Sequence, residues 1–336
     1  MYQAYQAPAA GAALEKVERT EAELGSGQVE IEVLYCGICH SDLSMLNNEW
    51  GMSSYPLVAG HEVVGVISRV GEGVNADRIG THVGLGWQSG YCGGCKSCHT
   101  ADENLCSAAQ GTIIGRDGGF ADKVVADAAS VVEIPDGMEL SKVGPLMCGG
   151  ITVYNPLVQF DVKPTDRVGV IGIGGLGHLG LKFLRAWGCH VTAFTSSESK
   201  RDEAMALGAH DIINSRDPNA LEQAVGRFDF IISTVNVKLD WNAYIATLAP
   251  KGRLHFVGAT TEPLDIGVFP LLLGQKSVSA SPVGSPSTIR QMLEFAKRHD
   301  IEPQVEMFRM AEVNDALKHL EDGKARYRVV LDNTQR

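Results

Sequence analysis

The chain has 336 residues, enough for two hydrophobic cores, and its composition, 44% hydrophobic and 21% charged, is that of an ordinary soluble protein. With 29 Lys and Arg against 40 Asp and Glu it carries a formal charge of -11, which repels a phosphate backbone or an anionic bilayer and excludes nucleic acid and membrane as expected partners. The opening stretch MYQAYQAPAAGAALEKVERT has neither a basic n-region nor a continuous apolar h-region, and no run of about 18 apolar residues occurs, so a cytoplasmic location is expected.

The first third alternates like strands in QVEIEVLYCGI (28–38) and HEVVGVISRVGEGV (61–74), and GEGVNADRIGTHVGLG (71–86) is rich in turn residues, so a Gly-punctuated β domain is expected here. From about Cys148 the texture changes. DRVGVIGIG (166–174) reads as a buried strand, GLGHLGLKFLRAWG (175–188) as a helix, CHVTAFT (189–195) as a strand and SESKRDEAMALGA (197–209) as a helix; HDIIN, FDFIISTV and GRLHFVGA add further strands. Such alternation predicts a doubly wound parallel sheet of the α/β class. After about Ser285, PSTIRQMLEFAKRH is an amphipathic helix, and ARYRVVLDN closes the chain as a short strand. No internal repeat or low-complexity tract interrupts the pattern.

Half of the eight cysteines lie in GYCGGCKSCHTADENLC (90–106), where Cys92, Cys95, Cys98 and Cys106 follow C-x2-C-x2-C-x7-C. Clustered cysteines in a reducing compartment are more often metal ligands than disulfides. Four thiolates close a tetrahedral zinc shell and leave no position for substrate, so this loop is expected to hold structural zinc; an iron centre or disulfides are the competing uses. Reactivity then has to come from elsewhere. CGICHSDL supplies Cys39, AGHEVVG supplies His61 with Glu62 beside it, and PLMCGGITVY supplies Cys148. Two Cys and one His leave a fourth zinc position open to water or a carbonyl oxygen. Spacing alone does not unite residues so far apart, and three unrelated core residues are the alternative, since Cys is commonly buried.

GVIGIGGLGHLG places Gly172, Gly174 and Gly177 in G-x-G-x-x-G spacing after an apolar strand and before a helix, the context in which a pyrophosphate approaches the backbone at a helix N-terminus. An NAD-preferring site usually has Asp or Glu about 20 residues on. Here the second strand ends in AFTSSESKR: Thr195, Ser196 and Ser197 are neutral donors, and Lys200 and Arg201 can neutralise a 2'-phosphate. That favours NADP(H), although SSESKR also reads as a helix cap followed by a solvated turn.

CGICHSDL, YPLVAGHE, the four-cysteine loop, GIGGLGHLG, TSSESKRDEA and ARYRVVLDN, in this order, resemble the zinc-dependent medium-chain dehydrogenases, and more closely the cinnamyl alcohol dehydrogenase-like branch of NADP-dependent aldehyde reductases. The resemblance covers nearly the whole chain. It implies a chaperonin-10-like, β-rich catalytic domain of residues 1–149 and 287–336, with a Rossmann cofactor domain of residues 150–286 between them. It implies two zinc ions per chain, one catalytic on Cys39, His61 and Cys148 and one structural on the four-cysteine loop. It also implies a homodimer joined through edge strands, for which KSVSASPVGS is the matching segment. Glu62 matches an acid close to the catalytic zinc, and Asp42 matches a carboxylate that orients the ligand histidine, unless it serves only as a helix cap. Ser41 resembles the hydroxyl that passes a proton to the developing alkoxide, with a capping serine as the plain alternative. Further cofactor contacts are implied for His40, Gly175, Leu176, Thr234, Val257, Ser281 and Arg328. Cys36 and Cys189 are expected to be packed and inert.

Hydride transfer between NADPH and a small aldehyde is the reaction so implied. An NAD-linked polyol or amino-alcohol dehydrogenase is the alternative enzyme, disfavoured by the missing acid; a zinc-ribbon interaction module and a redox-sensing protein without turnover are the non-enzymatic ones. Two features depart from the pattern. Ser44 stands where many relatives have a histidine that completes a proton path, and the segment after Cys106 is short. Trp50 matches a position that lines the substrate pocket and suggests apolar or aromatic aldehydes.

Overall fold

The structure, a computed structural model, describes residues 1–196 and 198–335, and the chain divides into two compact units. One comprises Met1–Ile151 and Val283–Arg336, the other Thr152–Pro282. The junctions therefore fall at 151/152 and 282/283, where 149/150 and 286/287 are expected from sequence. The reason at the first is local: helix Gly149–Gln159 runs through the junction, so the chain has no loop there to mark it.

The first unit is built on a seven-stranded sheet. Its path runs Val305–Arg309, Arg328–Asp332, Gln28–Ile38, Glu62–Val70, His82–Leu85 and Val132–Glu133, with Lys123–Asp127 also pairing with Gln28–Ile38. All these pairs are antiparallel except the first, which is parallel. The inward positions of the long strand, Val29, Ile31 and Val33, join Val63, Ile67, Val83, Phe120 and Val329 in one core. Among the elements without a counterpart in the sequence reading are strand Val305–Arg309, half exposed and without clean alternation, and helix Val313–Glu321. Helix Pro286–Arg298 lies where periodicity predicts it, with Ser285 accepting a bond from Thr288 N–H at its start.

The second unit is a six-stranded parallel sheet in the order Asp211–Asn214, His190–Thr195, Arg167–Ile171, Phe228–Ser233, Leu248–Phe256, Ser277–Ala280. In chain order this is third, second, first, fourth, fifth, sixth, the doubly wound arrangement in which strand order reverses between Arg167–Ile171 and Phe228–Ser233. Phe194, Phe228, Ile231, Trp241 and Tyr244 fill one face. At the reversal point Gly172 follows the first strand and Thr234 the fourth, so the glycine loop lies at the carboxyl edge, where open α/β sheets take their ligands.

Candidate functional site

Strand register gathers the reactive donors. Gly37 pairs with Glu62 on one neighbouring strand and with Val330 on the other, so the end of Gln28–Ile38 meets the starts of Glu62–Val70 and Arg328–Asp332. Cys39 follows the first of these strands, His61 precedes the second, and Arg328 opens the third. The 3-10 turn Gly144–Met147 packs on the same end and delivers Cys148. Small residues make room: a Cβ on Gly37 would overlap the Glu62 carboxylate, and one on Gly144 would stand 2.8 Å from the Glu62 carbonyl oxygen.

Cys39, His61, Glu62 and Cys148 are all buried, and one donor atom from each lies within 4.8 Å of the others. Asp42, fully buried in the helix His40–Leu46, supports them. Its Oδ1 accepts from Gly60 N–H and from His61 Nδ1, each at 2.9 Å, and its Oδ2 accepts from Cys39 N–H at 2.9 Å. Both readings of Asp42, orienter and helix cap, thus describe the same side chain. With Nδ1–H directed at Asp42, His61 keeps its lone pair on Nε2, a buried atom with no partner among the described residues. Glu62 has a similar split: the Arg328 guanidinium holds Oε1, while Oε2 is buried and unpartnered.

The charges of the cluster fit a cation site. Bonding with Cys148 holds the Cys39 thiol well below its ordinary range, against the effect of burial, and the same bond holds Cys148 well above it. Burial pushes the Glu62 carboxyl up to about 7 although Arg328 pulls the other way. Glu30, equally buried on the same sheet, shows what full pairing does. Burial alone would raise it, but Arg69 Nε (3.0 Å), Ser68 Oγ (2.8 Å) and Lys123 Nζ (3.1 Å) all donate to it and hold it at about 2. Two thiols, an imidazole with a free Nε2 and an orphaned carboxylate oxygen together form a donor set suited to zinc.

Ser41 Oγ lies 3.7 Å from Cys39 Sγ, which donates to it. Ser44 is buried and its hydroxyl donates to Glu49 Oε2 at 2.7 Å, while His40 is exposed at the head of the helix. Arg328, expected among the cofactor contacts, is itself buried and paired with Glu62 behind the donors. Trp50 packs edge-on against Trp87 (centroids 6.0 Å apart), and Trp87 in turn lies edge-on to His61 at 4.9 Å. No motif marks Trp87; the available signal is an aromatic residue interrupting the Gly-rich GLGWQSG just ahead of the cysteine loop.

The second cluster is local. Cys92, Cys95, Cys98 and Cys106 also place their sulfurs within 4.8 Å of one another, with separations of 3.5 Å (92 to 106), 3.6 Å (95 to 98) and 3.9 Å (92 to 98). Sulfurs on the corners of a tetrahedral zinc site are about 3.8 Å apart for Zn–S bonds of about 2.3 Å, so four-fold coordination needs little rearrangement. Bonds from the Gly94 N–H and then Cys106 hold the exposed Cys92 thiol down to about 6.

In the second unit the three motif glycines serve three ends. Gly172 has φ of 85°, open to glycine at little cost. A Cβ on Gly177 would collide with the Gly172 carbonyl, whereas one on Gly174 would meet nothing within 4 Å. Nothing in the protein therefore requires glycine at 174; the open space is where a pyrophosphate would lie. Gly175 and Leu176 lead into helix Gly177–Trp187. Thr234 Oγ1 is 2.9 Å from the Ile171 and 3.0 Å from the Gly172 carbonyl, and Lys200 Nζ donates to the Ile173 carbonyl at 3.3 Å, bracing the loop from two sides. Thr195 is buried at the end of its strand and Ser196 is exposed just beyond it, with no acid among Thr195, Ser196 and Lys200; Ser197 lies outside the described residues. Val257 N–H donates to Ser233 and Ser281 N–H to Phe256, both on the carboxyl edge.

A doubly wound sheet with a glycine loop at its reversal point, in one chain with a β unit carrying a Cys/His donor set, defines a dinucleotide-dependent metal dehydrogenase. The chain matches the alcohol dehydrogenase GroES-like domain over residues 25–136 and the zinc-binding dehydrogenase domain over 175–298, and it belongs to the zinc-dependent medium-chain dehydrogenases, in their cinnamyl alcohol dehydrogenase-like branch. It is 59% identical over 335 residues to the aldehyde reductase AdhA of Synechocystis sp., with 100% of both chains covered. Among solved structures, a cinnamyl alcohol dehydrogenase of Sorghum bicolor aligns with a TM-score of 0.93 at 38% identity, covering 98% of this chain and 97% of that one. One of Helicobacter pylori, complexed with NADP(H), aligns with a TM-score of 0.89 at 31% identity over 99% and 98%. No helix among the described residues is long and apolar enough to cross a membrane.

Proposed function

We propose that the protein is a zinc-dependent, NADP(H)-linked aldehyde reductase and alcohol dehydrogenase acting on small aldehydes. The observation that carries this reading is the buried set of Cys39, His61, Glu62 and Cys148, in which His61 Nε2 and Glu62 Oε2 find no partner among the described residues. When bound, zinc supplies Lewis acidity and the nicotinamide supplies hydride. Cys39, His61 and Cys148 hold the metal and leave room for substrate. Asp42 keeps the imidazole in the tautomer that presents Nε2, and the Arg328 guanidinium neutralises Glu62 where it cannot reach water. Ser41, beside Cys39, is placed to give a proton to the substrate oxygen. Ser44 has no group that titrates near neutrality and already donates to Glu49, so no imidazole relays protons at that position. The Trp50–Trp87 pair offers an aromatic wall next to His61, which suits apolar or aromatic aldehydes.

For the cofactor, Ser196 and Lys200 near the glycine loop, with no acid among them, favour a 2'-phosphate, as does similarity to the NADP(H)-complexed Helicobacter pylori protein. Eight cysteines without a disulfide among the described residues agree with a cytoplasmic location. A homodimer is the expected assembly. Ser277–Ala280 is an edge strand with unused backbone groups, and the adjoining helix Val268–Gly274 leaves Val268, Phe269, Leu272 and Leu273 65–71% exposed, a patch a second copy can cover.

The test is NADPH oxidation across aliphatic, allylic and aromatic aldehydes, with zinc counted and molar mass measured on the same sample. Turnover at two zinc ions per chain, with kcat/KM for NADPH well above that for NADH, is expected. A preference for NADH would overturn the assignment of Ser196 and Lys200, and zinc-loaded protein inert toward every aldehyde would overturn the reductase reading.

A further inference from the structure

His255 is an unusual residue for its position. It is the last residue but one of strand Leu248–Phe256, is 0% exposed, and packs between Phe160 and Phe230, with ring centroids 5.1 and 5.9 Å away. An aliphatic side chain would fill such a place without a polar atom to satisfy. The imidazole instead reaches the edge strand: Nδ1 is 2.9 Å from Ser279 Oγ and Nε2 is 3.0 Å from Ser281 Oγ. Residues two apart on a strand project to the same face, so one ring meets both hydroxyls. Burial, and then the nearby Arg253, push the His255 pKa down to about 4, so the ring is neutral at working pH. A neutral imidazole has one N–H and one lone pair, so one serine accepts from the ring while the other donates to it. The two hydroxyls are therefore fixed in opposite senses by a single side chain.

Their location gives this a purpose. Ser281 is the first residue beyond strand Ser277–Ala280, on the carboxyl edge of the sheet that also carries Gly172 and Thr234. Among the described residues Ser281 is tied to the Phe256 carbonyl, 3.4 Å from its N–H, and to His255. We propose that His255 is a positioning residue for the dinucleotide: it holds Ser281, and with it the last turn of the edge strand, in the conformation that the bound nicotinamide cofactor contacts. This rests on the NADP(H) reading above. His255 itself touches no reacting atom.

The test is a double-mutant cycle on zinc-loaded protein with NADPH affinity as the readout, measured by fluorescence titration beside the thermal midpoint. His255→Leu keeps an apolar, similarly sized side chain and removes both bonds. It should raise the Kd for NADPH about five-fold, the size expected for one lost hydrogen bond, with kcat at saturating cofactor within about two-fold. Ser281→Ala should raise the Kd for NADPH to a similar extent, and the double variant should bind NADPH no more weakly than either single one. His255→Gln, which offers one acceptor and one donor, should recover most of the affinity. An unchanged Kd in His255→Leu, or single effects that simply multiply in the double variant, would overturn the proposal, as neither is compatible with one shared bond. If His255→Leu does not fold, Ser279→Ala removes the Nδ1 partner without changing core volume and should weaken NADPH about two-fold; no change there would count equally against it. The same titrations with NADH separate the two readings: wild-type preference for NADH overturns the coenzyme assignment, while the coupling of His255 and Ser281, read on NADH, is judged by the same criteria.

Discussion

The four-cysteine lobe and the Cys39, His61, Glu62, Cys148 cluster each bring metal donors within 4.8 Å, and they are built in opposite ways. The lobe takes all its donors from residues 92–106, from short turns such as Lys96–His99 and Glu103–Leu105, and leaves Cys92 at the surface. The buried cluster takes its donors from three separate stretches, joined because two strand ends meet and the 3-10 turn Gly144–Met147 packs on them, and stands on further residues behind them, Asp42 and Arg328. Four sulfurs satisfy a zinc ion completely, so a local loop suffices and its metal serves as a clamp. An incomplete donor set keeps its acceptors poised without a protein partner, at an energetic cost that only a rigid, fully packed surround can carry.

The sharpest way to break the comparison is to remove one sulfur from each side. Cys39→Ala should reduce aldehyde turnover by at least about a thousand-fold, the scale on which losing an electrostatic stabiliser acts, and lower bound zinc from two ions to one. Cys95→Ala should also lower zinc to one, but it should lower the thermal midpoint while kcat of the folded protein stays within about two-fold. Equal loss of turnover in both, with circular dichroism unchanged, would dissolve the division between clamp and reactive site. Next in size is Arg328→Met. It leaves the Glu62 carboxylate without its counter-charge at a site with 0% exposure, and should destabilise the protein by about 3–5 kcal/mol in urea unfolding. Adding Glu62→Gln should recover part of that loss. A single variant as stable as the wild type would mean that Glu62 is already compensated by another group.

The two clusters also differ in how far the sequence discloses them. The lobe is legible outright, because its ligands are neighbours in the chain and their spacing is itself the geometry. Cys39, His61 and Cys148 become a set only through resemblance to a family; what joins them is the pairing of Gly37 with Glu62 and the packing of the turn Gly144–Met147 on that strand end, and no local pattern encodes either. Arg328 shows the same limit. Its motif ARYRVVLDN is visible, but its partner Glu62 lies 266 residues away, so its expected place among the cofactor contacts gives no hint of the buried ion pair. The glycine loop is legible as a strand–turn–helix motif because its parts are contiguous, whereas the separate duties of Gly172, Gly174 and Gly177 come from the backbone φ and the neighbours each one meets. The sequence carries no motif that marks Trp87 or His255. A lone aromatic or histidine inside an apolar run has no pattern to announce it, and its meaning comes from the side chains that tertiary packing brings against it.

The smallest expected effect tests the support behind the open site. Asp42 receives three donors, from Cys39 N–H, Gly60 N–H and His61 Nδ1–H. In Asp42→Asn only one oxygen remains, and the amide brings two hydrogens of its own. If that oxygen faces Gly60 and His61, the amide nitrogen opposes Cys39 N–H, donor against donor, at the start of the helix that carries Ser41. If the amide turns round, its nitrogen faces His61 Nδ1, which must then accept; the ring proton moves to Nε2 and blocks the atom the metal needs. Either orientation loses a bond or the tautomer. Asp42→Asn should therefore bind the reactive zinc about 10–100-fold more weakly, while the zinc held by the lobe is unaffected. Chelator titration resolves the two ions by affinity and tests this directly, with Cys95→Ala as the background in which the lobe's zinc has been removed. Unchanged affinity in Asp42→Asn would show that strand register alone fixes the His61 ring, and the contrast between a self-sufficient lobe and a supported site would then rest on Arg328 only.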